Sequence, residues 1–368
     1  MPKLEVNMTS EILILNKKSI VLAADSAQTI GEHVYQGIEK IFELSKAPAM
    51  AMMTYNNGEF MDIPLSTLIK DYRHNRDFSK LKNMENILND FIIYLEENTK
   101  KFSKPEIKIE INEFKKYVIK EIKKYGLENL KNRYAEYETD EILPFLKNEC
   151  YDIDFYEING EYGIPIEILK KFFSNYLKFN GSCIVLTGFN DNEYFPSFIE
   201  FNLILNYEGN LIFEVFNKET NIDVGAIIPF AQKEVIETFL NGIDETVENT
   251  IIDYWYDTIE FCFNEFIKEI KKDNPQIKID KINLNQIINE NLADQLILTL
   301  NDAKNDIEEP IFESVRYLSD DELVKIAKIL IKITSIKIKL LKQLETVDEE
   351  ISIAIITKSN GLEWQNGK

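Results

Sequence analysis

Short apolar runs, each closed by polar or turn-forming residues, lie at both ends and in the middle of the chain. The first two runs fall within residues 11–25 and are separated by a polar turn at 16–18, a pattern that predicts a β-hairpin. A third run covers 47–55, and residues 182–217 contain three runs that predict a β-meander. Another hairpin is predicted at 351–364, so strand-forming segments occur early, centrally and late in the chain.

Between these strands, apolar residues recur every three or four positions, which predicts helices. Helical stretches are predicted over about 60–178 and about 230–300, and a further helix follows the capping box at 319–322. Strands separated by groups of helices favour an α+β fold in which helical layers cover antiparallel sheets. Because no repeat or flexible linker divides the sequence, we predict one domain over 1–368, with helical insertions at about 60–178 and 240–315.

Composition supports a folded chain and limits the classes of partner. The chain has 368 residues, 45% of them hydrophobic, which is enough for a sizeable core. Its formal net charge of −21 opposes binding to a phosphate backbone, so nucleic acid is not an expected partner. No apolar run is long enough to span a membrane and no signal peptide is evident, which predicts a cytoplasmic protein without a membrane partner.

Cysteine and histidine are too few for most chemistry that depends on them. Cys150, Cys183 and Cys262 are widely separated and form no CxxC pair, so reduced thiols are expected rather than disulfides or a zinc site. With only His33 and His74, a histidine-rich metal site and a Ser-His-Asp arrangement are both disfavoured. We therefore predict no metal and no cofactor, and any catalysis has to use other groups.

The segment that begins at Thr9 carries three residue types at a characteristic spacing. Thr9 and Ser10 open the first hairpin, the run SIVLAADSAQT places Asp25 sixteen positions after Thr9, and GIEKIFEL carries Lys40. This arrangement resembles the start of proteasome β-subunits and the bacterial HslV peptidase, which are N-terminal-nucleophile hydrolases. The resemblance implies a four-layer αββα sandwich of antiparallel sheets, and the helical insertions are expected to be peripheral to those sheets.

The resemblance also implies a hydrolase of peptide or other amide bonds with Thr9 as its nucleophile. The hydroxyl needs a base, and the residue's own α-amine has a suitable pKa of about 7.7 to 8.0 once residues 1–8 are removed. A chain started at Met8 exposes Thr9 by methionine removal, and self-cleavage is the other route. Lys40, held by Asp25, is expected to contact the Thr9 hydroxyl and favour its ionised form. A Lys40→Ala change is then expected to remove activity and leave the fold largely intact.

Other positions of the implied site match the family's pattern less closely. Backbone N–H groups at the Asn56 turn are expected to stabilise an oxyanion, and asparagine suits this position because it adopts positive φ more readily than most residues. Thr346 is expected to supply another hydroxyl. However, Gln343 stands where the family has an aspartate, and Asp348-Glu349 replaces a glycine pair. These departures predict a remodelled site, and they leave open whether the site is active.

Each residue of the implied site also has a structural interpretation. Thr9 suits a strand, Asp25 suits a strand end, and Lys40 suits a solvated position beside an apolar run. The alternative function is therefore a catalytically inactive proteasome-like scaffold or regulatory subunit, and a small-amide hydrolase is a third possibility. Expected partners are a peptide or protein substrate, further copies of the chain in a homo-oligomer and, for a peptidase, an unfoldase.

Overall fold

A computed structural model of the chain describes residues 9–26, 28–30, 33–35, 37–61, 63–99, 181–207, 210–275, 294–342 and 350–365. The strands, in chain order, are β1 (Ser10–Leu15), β2 (Ser19–Asp25), β3 (Gln28–Ile30), β4 (His33–Tyr35), β5 (Ile41–Lys46), β6 (Ala49–Asn56), β7 (Glu59–Phe60), β8 (Ile63–Pro64), β9 (Ser182–Gly188), β10 (Ser197–Tyr207), β11 (Asn210–Glu219), β12 (Ala226–Ala231), β13 (Ile351–Thr357) and β14 (Gly361–Trp364). The helices are α1 (Leu65–Asn75), α2 (Met84–Thr99), α3 (Glu234–Asn241), α4 (Glu245–Asp273), α5 (Asp294–Val315) and α6 (Asp320–Lys342), and Phe78–Lys80 forms a 3₁₀ turn. The predicted α+β class is confirmed.

Two five-stranded antiparallel sheets form the centre of the described structure. The first sheet has the strand order β12-β1-β2-β13-β14, and the second has the order β11-β10-β9-β6-β5. The hairpin predicted over 11–25 is confirmed as the β1–β2 pair, and Asn16 Oδ1 holds its turn by accepting the Ser19 N–H at 2.9 Å. The predicted meander and final hairpin are confirmed as β9-β10-β11 and β13–β14. Two short ladders, β3–β4 and β7–β8, complete the described strands.

Both faces of each sheet are buried, because alternate side chains along the strands pack in opposite directions. Leu13 of the first sheet and Val185 of the second belong to the apolar cluster that lies between the sheets. Phe91 of α2 belongs to a second cluster, in which α1 and α2 cover the other face of the second sheet. Ile331 of α6 belongs to a third, in which α3, α5 and α6 cover the other face of the first sheet.

The described part of the predicted 60–178 insertion contributes to the core. α1 and α2, within residues 65–99, bury their apolar faces against the second sheet and form a helical layer on it, and this part supplies no strand of either five-stranded sheet. The reason is visible in the side chains, since Leu65, Leu68, Ile69 and Tyr72 recur at helical spacing and are all buried. Residues 100–178 lie outside the described residues, and the single-domain organisation stays a prediction.

Strand β12 is an element that the sequence analysis does not assign. Its segment contains Pro229, which cannot donate a ladder hydrogen bond and weakens a strand prediction. In the structure β12 lies at the edge of the first sheet and pairs with β1, with Pro229 opposite Ile12. An edge position needs hydrogen bonds on one side, so proline is tolerated there.

The capping box that precedes α6 is confirmed in atomic detail. The Glu322 carboxylate accepts hydrogen bonds from the Ser319 backbone N–H at 2.9 Å and from the Ser319 hydroxyl at 2.7 Å. These hydrogen bonds lower the pKa of Glu322. Among the described residues, no helix combines the length and the apolar character needed to cross a lipid bilayer.

Gly225, the residue before β12, packs closely against the C-terminal end of α5. A Cβ atom on Gly225 would lie 2.3 Å from the Phe312 backbone oxygen and 2.5 Å from the Arg316 backbone nitrogen. Because backbone atoms of a packed helix cannot move aside cheaply, we expect Gly225→Ala to lower the free energy of unfolding by about 1–3 kcal/mol. Chemical denaturation measures this effect, with exposed Val224→Ala as the neighbouring control. Equal stability of the two variants would contradict the close approach.

Candidate active site

Lys40 lies between two buried carboxylates that come from the opposite sheet. Its Nζ atom is 2.5 Å from Asp25 Oδ1 and 2.9 Å from Glu11 Oε1. All three residues are at least 95% buried. Glu11 and Asp25 belong to β1 and β2 of the first sheet, whereas Lys40 directly precedes β5 of the second. The ion cluster therefore joins the two sheets.

Thr9 is held at the edge of this cluster by its backbone and its hydroxyl. The Thr9 carbonyl accepts the Gln232 N–H at 3.3 Å, and the next residue, Ser10, donates its N–H to Asp25 Oδ2 at 3.0 Å. The Thr9 hydroxyl donates to Glu11 Oε2 at 3.2 Å. Thr9 and Asp25 are thus brought together with Lys40, as predicted, but Glu11 joins them.

The predicted direct contact between Lys40 and Thr9 has a different form in the structure. The lysine donates to Glu11 Oε1 and the threonine donates to Glu11 Oε2, so the two oxygens of one carboxylate bridge the pair. This role of Glu11 is not among the predictions made from the sequence. Alternation along β1 puts Glu11 on the same face as Leu13 and Leu15, which is buried against the other sheet, and a carboxylate on such a face requires a cation.

Burial and the crowding of charges set the protonation of the cluster. Burial, opposed by Lys40 and reinforced by Asp25, raises the pKa of Glu11 from 4.5 to about 7. Burial alone would lower the pKa of Lys40, but the nearby Glu11 and Asp25 outweigh it and raise that pKa, so the ammonium stays charged. Near neutral pH the cluster therefore pairs a fixed cation with a carboxyl group that gains and loses a proton.

Asn56 lies in a neighbouring polar group rather than in the ion cluster. It has a φ of 61°, so the positive φ suggested for this position is confirmed. Its side-chain amide donates to Cys183 Sγ at 3.4 Å, and the Asn57 N–H points to the Gly181 carbonyl at 3.5 Å. The Asn57 N–H is thus already directed to a protein acceptor, and the oxyanion role of the Asn56 turn stays a prediction.

Tyr55 and Glu200 complete this neighbouring polar group, and Phe230 packs beside it. The Tyr55 hydroxyl donates to Glu200, and the Tyr55 ring lies 5.4 Å from the ring of Phe230, which is opposite Glu11 in the first sheet. Burial raises the pKa of the Cys183 thiol to about 12, so it stays protonated. A buried, protonated thiol is a poor nucleophile, and Cys183 therefore serves packing and hydrogen bonding.

The remaining predicted position, Thr346, lies outside the described residues, as do Gln343 and Asp348-Glu349. In the part of the chain that the structure describes, no group of three or more His, Cys, Asp or Glu side chains is arranged to hold a metal ion. The chain matches no protein-family model and no curated protein sequence. A functional proposal for this chain therefore depends on the geometry of this site and on the resemblance of its residues to those of N-terminal-nucleophile hydrolases.

The cluster has the parts needed to activate a hydroxyl. A hydroxyl becomes nucleophilic when a base accepts its proton and a nearby cation stabilises the oxygen that results. Glu11 is within hydrogen-bond reach of Thr9, and Lys40 supplies the cation in an environment shielded from water. The same ion pairs also join the two sheets.

Proposed function

We propose that this chain is a threonine hydrolase of the N-terminal-nucleophile type that cleaves peptide or other amide bonds. The buried Lys40 held between Asp25 and Glu11, with the Thr9 hydroxyl on the same carboxylate, is the observation that carries the proposal. Thr9 attacks the amide carbonyl and forms an ester, the amine leaves, and water hydrolyses the ester. Nucleophile, cation and ion-pair partner are the residue types that this chemistry requires.

The packing supports the finer architecture that this function implies. Helices α1 and α2, the second sheet, the first sheet, and helices α3, α5 and α6 contribute to three successive apolar clusters. We infer from this order a four-layer αββα sandwich of the N-terminal-nucleophile type. In such a sandwich Thr9 starts a central strand pair, which keeps the nucleophile in a fixed position against the opposite sheet.

Labelling of a chain with a free Thr9 terminus tests the proposed function. Protein expressed from Met8 is expected to begin at Thr9 and to gain the mass of a β-lactone acyl group on that residue, because the lactone needs a reactive hydroxyl. Intact mass spectrometry and peptide mapping measure both properties. Thr9→Val, which keeps the shape and lacks the hydroxyl, is the matched control and should stay unlabelled. A verified free Thr9 that takes up no reagent and cleaves no amide substrate would exclude the hydrolase.

A non-catalytic scaffold or regulatory subunit is the second candidate, and one observation favours it. Thr9 is 1% exposed and Asp25 is equally buried, as expected for residues that belong to, or pack beside, an ion cluster whose task is to join two sheets. This function requires the ion cluster for stability but not the Thr9 hydroxyl. Under it, Thr9→Val retains partner binding and assembly, whereas the hydrolase loses its labelling. The two candidates are separated by the unsubstituted chain, whose free Thr9 is labelled if it is the hydrolase and stays unlabelled if it is the scaffold.

We propose that the chain forms a homo-oligomer through an exposed apolar stripe on α6. The stripe comprises Ile329, Ile333, Ile336 and Leu340, which recur at helical spacing and are 47–76% exposed. After its first turn α6 carries six lysines and no acidic residue. Helix α4 carries eight Asp and Glu residues but only three Lys residues. It also has an exposed apolar row, which consists of Val247, Ile251, Tyr254 and Phe261. These opposite charges favour contact of α6 of one copy with α4 of another.

A charge placed within the α6 stripe tests this assembly. Ile333→Glu combined with Ile336→Glu is expected to convert an oligomer into monomers of 43.0 kDa, because burying two carboxylates in an apolar contact is costly. Light scattering after size-exclusion chromatography measures the mass. Ile93→Glu, at an exposed position of α2, is the control and should leave the assembly unchanged. An unchanged mass of the α6 variant would place the interface elsewhere.

A further inference from the structure

The Thr9 hydroxyl donates a hydrogen bond to Glu11, and this contact places a proton acceptor beside the proposed nucleophile. The distance from Thr9 Oγ1 to Glu11 Oε2 is 3.2 Å, slightly longer than a usual O–H···O hydrogen bond. Hydrogen bonds between a nucleophile and its base are often loose before substrate binds. The other carboxylate oxygen is fixed by Lys40 at 2.9 Å, so the orientation of Glu11 toward Thr9 is set by an ion pair.

We propose that Glu11 is the general base that accepts the proton of the Thr9 hydroxyl. The proposal rests on the proposed hydrolase function and adds a catalytic residue to it. It also changes what the mechanism requires. With Glu11 as the base, activation of Thr9 does not depend on a free α-amine, so a Thr9 whose nitrogen is still in a peptide bond retains a reactive hydroxyl.

The proton transfers balance through both steps of hydrolysis. Thr9 Oγ1 forms a bond to the carbonyl carbon while its proton passes to Glu11 Oε2 and the carbonyl electron pair moves to oxygen. The C–N bond then breaks, and the leaving nitrogen takes the proton from Glu11. In the second step Glu11 accepts a proton from water, the hydroxide attacks the ester, and Thr9 Oγ1 recovers the proton as the acid leaves.

The charged surroundings of Glu11 suit this exchange. Among the residues that the structure describes, the charged groups that act on Glu11 are Lys40 and Asp25, and Thr9 donates a hydrogen bond to it. A carboxyl group with a pKa of about 7 is partly ionised near neutral pH, where a general base is most effective. Lys40 stays cationic beside it and stabilises the ionised form that accepts the proton.

The test measures the rate of β-lactone acylation of Thr9 from pH 5.5 to 9 in the chain with a verified free Thr9. The rate is expected to rise with pH around 7. Glu11→Gln, which keeps the shape and the hydrogen-bonding oxygen, is expected to slow acylation by about 100-fold or more and to lose this pH dependence. Glu85→Gln, which removes a carboxylate from the exposed pair with Lys218, should change neither.

A second measurement does not depend on any substitution. The chain that retains Met8, confirmed by intact mass, lacks a free α-amine, and its Thr9 is expected to be acylated with the same pH dependence. Failure of this form to react, or normal acylation by Glu11→Gln, would assign the base to the α-amine and overturn the role of Glu11 while the hydrolase stands. If the free Thr9 of the unsubstituted chain takes up no lactone, the proposed function fails, and the role of Glu11 fails with it.

Discussion

Lys40→Met is expected to lower the free energy of unfolding by about 3–5 kcal/mol and to abolish labelling of Thr9. The substitution leaves Glu11 and Asp25 buried beside each other without the cation that both contact. Removing one partner of a buried ion pair has a cost of this size because the remaining charge is uncompensated. Labelling fails because the hydroxyl loses the positive charge that stabilises its ionised form.

Chemical denaturation and lactone labelling measure the two effects of Lys40→Met. Lys70→Met is the matched control, since Lys70 forms an ion pair of 2.5 Å with Glu39 at the surface, where such pairs contribute about 0–1 kcal/mol. The double variant Lys40→Met with Glu11→Gln should recover part of the stability because one of the two stranded carboxylates is neutralised. A Lys40 variant as stable as the Lys70 variant would show that the buried cluster contributes little to folding.

This expectation differs from the one that the sequence alone supports. The resemblance implies that Lys40→Ala removes activity and leaves the fold largely intact. The structure gives Lys40 two buried partners on the opposite sheet, so its loss affects folding and chemistry together. A loss of activity in Lys40 variants is therefore informative only when stability is measured beside it.

The strands were predictable because their signals are local. Apolar runs with turn residues mark β1–β2, the β9-β10-β11 meander and β13–β14 without any knowledge of their neighbours. β12 escapes prediction because its proline is acceptable at a sheet edge, and edge position is a property of the assembled sheet. Amphipathic spacing likewise predicts helical layers but does not say which sheet face α1 and α2 cover.

The site shows the same division between local and long-range information. The resemblance to N-terminal-nucleophile hydrolases points to Thr9, Asp25 and Lys40, but it does not point to the partner of the Thr9 hydroxyl. Glu11 was detectable in principle, since a carboxylate that alternates with buried leucines must find a positive charge. Which cation it finds depends on the packing of the second sheet against the first, and alternation within one strand contains no such information.

The stability of the folded protein should fall as pH rises from about 4.5 to about 7 on account of Glu11. The pKa of this carboxyl group is raised to about 7 in the folded chain, against 4.5 for the exposed group. Between these values the folded state holds a proton that the unfolded state has lost. The folded state thus binds more protons, and the free energy of unfolding decreases with rising pH. The full interval corresponds to about 3 kcal/mol.

Comparison with Glu11→Gln isolates this contribution from the other carboxyl groups, because the substituted side chain does not titrate. The free energy of unfolding of the unsubstituted chain, minus that of Glu11→Gln, should be larger at pH 4.5 than at pH 8 by up to about 3 kcal/mol. Lys40 stays charged across this range, so the difference reports the proton on Glu11. A difference that is constant with pH would mean that folding does not raise the pKa of Glu11. The group that accepts the Thr9 hydrogen bond would then be an ordinary, ionised carboxylate. Since the proton that stabilises the folded chain at low pH occupies the carboxylate that the proposed reaction requires, stability and acylation rate should change in opposite directions around pH 7.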